Sequence, residues 1–160
     1  MIILYTIGHE NAALVDILSL LQDNNITQLV DIRSLPFSRK VPHFNRRRFT
    51  RSLAEAGITY TYLGNLLGGY PPDLSVYPGG VAKFGAEVDY SAIALRDYYL
   101  QGIEELLSLA SEAPTAVMCA EEDPAFCHRQ HLVSQTLLQR CIEVLHIRHD
   151  GSLQPAWLAD

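Results

Sequence analysis

Apolar positions along this 160-residue chain follow two different periods. Short, nearly continuous apolar runs read as buried strands: "IILYTI" near the start, then "QLVDI", "ITYTYL", "TAVMCA" and "IEVLHI". Between them apolar residues recur every three to four positions, the stripe of an amphipathic helix. Leu14, Ile17, Leu18 and Leu21 define the first such helix, with Asn11 as N-cap and Asn24-Asn25 at the exit. A second runs from about Arg46 to Ala56, capped by Asn45 and ended by Gly57. A third spans Tyr90 to Glu112, and "HRQHLVSQTLLQRC" is a fourth.

Strands that alternate with helices require crossover connections, so the pattern predicts an α/β three-layer sandwich, Rossmann-like, with a mainly parallel five-stranded sheet. A chain of 160 residues needs no second domain, and residues 1–160 are expected to form one α/β domain. The long Gly/Pro/Tyr-rich segment 64–89 has the length of a lid or binding loop. Open parallel sheets bind ligands beyond the carboxyl ends of their strands. Those ends carry Gly8, His9 and Glu10, then Asp31, Arg33 and Ser34, then Gly64 and Asn65, then Cys119 and Glu121. Any one polar loop is unremarkable in such a fold; four loops bearing ionisable groups or glycines together point to a site.

Composition narrows the classes. Hydrophobic residues make up 48% and charged residues 19%, a globular balance, and no apolar run reaches the roughly 20 residues of a membrane span. The N-terminal run lacks the basic flank of a signal peptide, so a cytoplasmic protein with no membrane partner is expected. Three cysteines, Cys119, Cys127 and Cys141, are an odd set that argues for thiols rather than a secreted disulfide framework. The net charge of -6 opposes nucleic-acid binding by the surface as a whole. Yet Arg33, Arg39, Lys40, Arg46, Arg47, Arg48 and Arg51 follow one another with no acidic residue between them. Four of these arginines occupy the first turns of their helix, where the macrodipole disfavours cations by a few tenths of a kcal/mol each. An anionic small molecule or a nucleic-acid backbone would account for them; a solvated face is the plainer alternative.

Two loops carry the chemistry. In "DIRSLPFSRKVPHFN", Asp31 closes an apolar strand and needs a partner, which Arg33 can supply in bidentate form. In "CAEEDPAFCHRQH", Cys119 ends a strand, whereas Cys127 stands just before a helix beside His128 and Arg129, where free N–H groups and cations favour a thiolate. Glu121, Glu122 and Asp123 would disfavour ionisation of Cys119. A phosphatase-type cradle does not fit, because Ala125 falls where its arginine belongs and the loop is acidic. As a zinc site the loop offers Cys119, Cys127 and His131, but the spacing exceeds C-x2-4-C and a fourth ligand is lacking, so no metal or other cofactor is expected.

The ordered motifs "TIGHE", "LVDIRSLPFSRKVPHFN", "AGITYTYLGNLLGG", "VMCAEEDPAFCHR" and "VLHIRHDG" resemble the domain-of-unknown-function 488 family over nearly the whole chain. The resemblance implies a small bacterial or archaeal α/β protein. Its characteristic polar and turn residues match Gly8, His9, Asp31, Arg33, Ser38, Arg39, Pro42, Asn45, Gly68, Gly69, Cys119, Glu121, Cys127, His128 and Arg129. Glu10 stands where the family usually has a serine, and the family brings no established reaction.

The first reading is therefore an enzyme, a hydrolase or transferase, acting on an anionic substrate such as a nucleotide or nucleic acid. Asp31 and Glu121 would serve as acid/base groups and Cys119 or Cys127 as nucleophile. Arg33, Arg39 and Arg129 would clamp the anion, with Gly8, His9, Ser38, Asn45, Gly68, Gly69 and His128 completing the binding set. The 64–89 segment would close over it, with Tyr70 and Tyr77 stacking on a base. The alternatives are a non-catalytic nucleic-acid or nucleotide-binding module and a thiol-dependent sulfur-transfer or redox protein.

Overall fold

A computed structural model describes residues 1–160. Its strands are β1 (Ile3–Gly8), β2 (Gln28–Asp31), β3 (Thr59–Tyr62), β4 (Thr115–Cys119), β5 (Glu143–Ile147) and β6 (Leu153–Pro155). They form one sheet in the order β3-β2-β4-β1-β5-β6, parallel except for β6, which pairs antiparallel with β5. The expected α/β sandwich is present, with a mixed, mostly parallel sheet of six strands rather than five. The sixth was missed because "LQP" is too short and too exposed to show an apolar period.

Successive strand residues point to opposite faces, and the sheet consequently has two cores. On one side Val117 and Cys119 pack with Val30 and Ile32 under α3 (Gly64–Leu67) and α5 (Asp97–Glu112). On the other, Ala116 and Met118 pack with Ile7 and Leu29 under α1 (Leu14–Asp23) and α2 (Arg46–Glu55). Because β2, β4 and β1 are parallel neighbours, with Asp31 opposite Met118 and Gly8 opposite Cys119, their carboxyl ends finish side by side. This brings the 9–13, 32–45 and 120–128 loops together at one edge.

Several element ends differ from the sequence reading. Asn11 is not the N-cap of α1: Ala12 N–H donates to His9 O, Glu10 takes a positive φ of 42°, and the helix starts after Ala13. Asn45 does precede α2, but its side chain accepts from Ser38 N–H at 2.6 Å and ties down the preceding loop instead of capping. The single helix expected over Tyr90–Glu112 is two, α4 (Tyr90–Ile93) and α5, interrupted where Arg96 turns extended and bonds Asp73. The fourth helix begins as a π-turn over Arg129–Ser134 before becoming α6 (Gln135–Gln139). The 64–89 segment is partly core: it opens with α3, and Val76 and Tyr77 are buried, Tyr77 donating to Pro71 O. That places Tyr77 away from any base-stacking role.

Candidate active site

Beyond the strand ends lies a cavity of about 380 Å³. Its floor is polar, formed by the buried His9, Arg33, Cys119 and His128, with the exposed Glu121 at its wall. Its mouth is aromatic and apolar: Leu35, Phe37, Phe84 and Phe126 line it while remaining largely exposed, and Tyr70 packs on Phe84. Four large exposed apolar residues from three separate segments around one opening are what a ligand mouth requires and a random surface does not supply.

The 31–45 loop forms one wall. Asp31 is fully buried and accepts from Arg33 Nε at 2.9 Å, Arg33 Nη2 at 2.8 Å and Tyr60 Oη at 2.5 Å. Both carboxylate oxygens are thus engaged, and the residue does not line the cavity. Arg33 also gives Nη2 to Phe44 O and Nη1 to His9 Nε2 at 3.2 Å. His9 donates Nδ1–H to Glu10 O, which leaves Nε2 as the acceptor and the ring neutral; burial lowers its pKa to about 4. Ser34 Oγ accepts from Tyr70 N–H and fastens the opposite wall. Gly68 is obligatory there, since a Cβ would lie 2.2 Å from that hydroxyl. Gly69 lies against the His128 ring. Ser38 lines the cavity, held through Asn45, whereas Arg39 is exposed and outside it.

The cysteine loop forms the other wall. Cys119 and Cys127, both buried, meet sulfur to sulfur across the loop with Cα atoms 7.4 Å apart. Only Cys119 of the pair lines the cavity. Cys127 Sγ accepts from Arg129 N–H at 3.4 Å and lies 3.8 Å from His128 Nδ1. His128 Nε2 faces Ile32 O at 3.0 Å, and a carbonyl can only accept, so Nε2 carries the proton and Nδ1 is bare. Burial keeps this imidazole neutral, with its pKa lowered to about 4. Glu121 sits at the cavity wall, with a ligand oxygen within 4.8 Å of both sulfurs, and desolvation raises its pKa.

Arg129 explains much of the site. It is fully buried, donating Nε–H to Thr6 Oγ1 at 3.0 Å, Nη1 to Cys119 Sγ at 2.9 Å and to Glu121 O, and Nη2 to Glu122 O. Behind it the protons are fixed in sequence. Gln130 gives its amide N–H to Trp157 O, so its Oε1 accepts from His146 Nε2, and His146 Nδ1 accepts from Thr6. No carboxylate pairs with Arg129: the four ion pairs are Arg33–Asp31, Arg96–Asp73, Arg140–Glu104 and Arg148–Glu122. Of the acidic run expected to suppress Cys119 ionisation, Glu122 faces Arg148 and Asp123 accepts from Ala125 N–H, while Glu121 stays within 4.8 Å of both sulfurs. Gly8 makes room for the arrangement, as a Cβ there would lie 1.5 Å from Glu121 O.

The site thus gathers His9, Arg33, Ser38, Gly69, Cys119, Glu121 and His128 at the cavity, keeps Asp31, Cys127 and Arg129 behind them, and leaves Arg39 aside. His131 turns to Ala125 O and away from the cysteines, so the Cys119, Cys127, His131 ligand set does not assemble. Thr6, Gln130 and His146 escaped the sequence reading; a histidine inside the apolar strand "IEVLHI" was the one available signal. Residues 13–136 match the model of a family described as Domain of unknown function DUF488. Neither a search of curated proteins nor one of solved structures gave a match.

Proposed function

The chain belongs to the DUF488 family, and from its site we propose a thiol-dependent redox protein that acts on a small-molecule disulfide through Cys119 and Cys127. The observation that carries this is Arg129, a buried guanidinium without a carboxylate, with Nη1 2.9 Å from Cys119 Sγ. A buried cation is costly unless an anion shares its site. No carboxylate oxygen lies within ion-pair distance, Glu121 standing farther off, and the acceptor that can carry the charge in direct contact is the Cys119 sulfur as a thiolate, the nucleophilic form. Its burial under a 380 Å³ cavity excludes a protein disulfide on steric grounds and admits a small one.

Cys119 thiolate attacks one sulfur of R–S–S–R, forming a mixed disulfide and expelling RS⁻, which takes the Cys127 proton. The Cys127 thiolate then attacks the Cys119 sulfur, closing the protein disulfide and releasing the second RS⁻, which takes its proton from solvent. Two electrons pass from the dithiol to the substrate, and an external thiol resets the pair. This reading is favoured over an enzyme for anions because the one cation open to the cavity, Arg33, is already bidentate with Asp31.

The test is the pH dependence of alkylation in a Cys141→Ser background, with Cys127→Ser to isolate Cys119. Cys119 should titrate well below the ordinary thiol value of about 8.5, and Cys127→Ser should trap a mixed disulfide with oxidised glutathione. If neither cysteine reacts faster than an ordinary thiol, the reading fails. A second reading rests on donor count, since Cys119, Glu121 and Cys127 offer three ligand atoms within 4.8 Å. A soft metal such as zinc would suit them, although Arg129 places a cation on the same sulfur. Near-stoichiometric zinc in protein purified without chelator would favour it.

A further inference from the structure

On the far side of α2 from the core, the charge balance of the molecule is reversed. Arg96, Arg140, Arg148 and Arg33 each pair with a carboxylate. Arg39, Lys40, Arg46, Arg47, Arg48 and Arg51 pair with none, although the chain holds 18 acidic residues. Arg46 lies over the Tyr62 ring, 4.5 Å from guanidinium carbon to centroid, which accounts for its placement. Nothing in the fold accounts in that way for Arg47, Arg48 and Arg51, all exposed. With His43 and Ser52 they border a surface hollow of about 480 Å³ that has no acidic and no apolar residue in its lining.

We propose that this hollow and the three arginines around it are a binding surface for the phosphodiester backbone of nucleic acid. Clustered cations repel one another, and no carboxylate pairs with any of these three to offset that cost. Guanidinium forks match phosphate oxygens in bidentate geometry. Arg47 and Arg51 are four residues apart on one helix, about 6 Å along its axis, so together they can follow consecutive phosphates. The hollow is open and has no buried polar group to enclose a single small anion, so affinity must come from several contacts along a polyanion. A membrane is disfavoured because a surface anchor needs apolar residues beside the cations, and none borders this hollow. The site is separate from the cysteine cavity and stands or falls independently of it, because no residue lines both.

Fluorescence anisotropy with a labelled 20-base-pair DNA duplex, from 20 to 200 mM KCl, tests the proposal on the full chain. Three phosphate contacts predict a slope of log K against log salt of about -2.7, so affinity falls roughly 40-fold between 50 and 200 mM. The Arg47→Ala/Arg48→Ala/Arg51→Ala variant should keep its thermal unfolding transition, lose at least ten-fold in affinity at low salt and flatten the slope, while Lys83→Ala and Cys119→Ser bind as the parent does. Absence of binding at 20 mM KCl overturns the proposal. So does undiminished binding by the triple variant, or capture of the parent by phosphatidylglycerol vesicles without capture by the duplex.

Discussion

Arg129 is the residue on which the site's electrostatics turn. Burial lowers its pKa to about 10, which still leaves it charged at neutral pH, so its charge must be answered inside the fold. Thr6 Oγ1 and the Glu121 and Glu122 carbonyls accept from it without supplying charge, and in the proposed function Cys119 Sγ, the remaining acceptor, carries the answering charge as a thiolate. Arg129→Met, a volume-conserving change, should therefore raise the Cys119 thiol pKa toward about 8.5 and slow its alkylation at pH 7 about ten-fold or more. Arg129→Lys, which keeps the charge, should restore part of that rate even if it costs stability. An unchanged alkylation profile in both variants would mean that the guanidinium serves packing alone.

At the level of elements, the site depends on two features with weak local signals. The π-turn over Arg129–Ser134 is held where Ser134 Oγ donates to Arg129 O at 2.6 Å, and the wider turn lets Arg129 and Gln130 both point inward. The chain after β5 then returns as β6, and Trp157 O accepts from the amides of Gln130 and Gln135 at 2.6 and 2.9 Å. Removing residues 152–160 should leave Gln130 without its acceptor and admit water behind His146. A chain ending at Gly151 is expected to lose on the order of 2 kcal/mol of stability. Cys119 should also lose its enhanced reactivity, measured by urea unfolding and alkylation side by side; retention of both would show that β6 is dispensable to the site.

Across the whole molecule, three buried neutral histidines make stability depend on pH. Desolvation lowers His9 and His128 to about 4 and His146 to about 3. Their unfolded-state value is about 6.5. Below that pH the unfolded chain binds protons that the folded one does not, so stability is full above pH 6.5 and falls as the pH drops toward 4. Each histidine contributes on the order of 1 to 3 kcal/mol to that loss. Glu122, held at about 2 chiefly by hydrogen bonds from Arg148, extends the loss below its ordinary carboxyl range. Urea unfolding at pH 7.5, 6 and 5 should show a monotonic decline that His146→Asn makes shallower; constant stability over this interval would contradict the buried neutral assignments. No helix is long and apolar enough to cross a membrane.

The apolar periods by themselves determined the α/β alternation, because burial on both faces of a parallel strand leaves a continuous apolar run and burial of one helix face leaves a stripe. Strand direction then located the cavity beyond Gly8, Asp31 and Cys119. What the tertiary structure alone decided were partnerships between distant residues: Cys119 with Arg129 and Glu121, Thr6 with His146, Tyr60 with Asp31. Local periodicity carries no record of which side chains meet across a sheet. The stretch from Cys119 to His131 accordingly shows its reactive residue types in sequence, while the ionisation and the roles they adopt are set by neighbours from four strands.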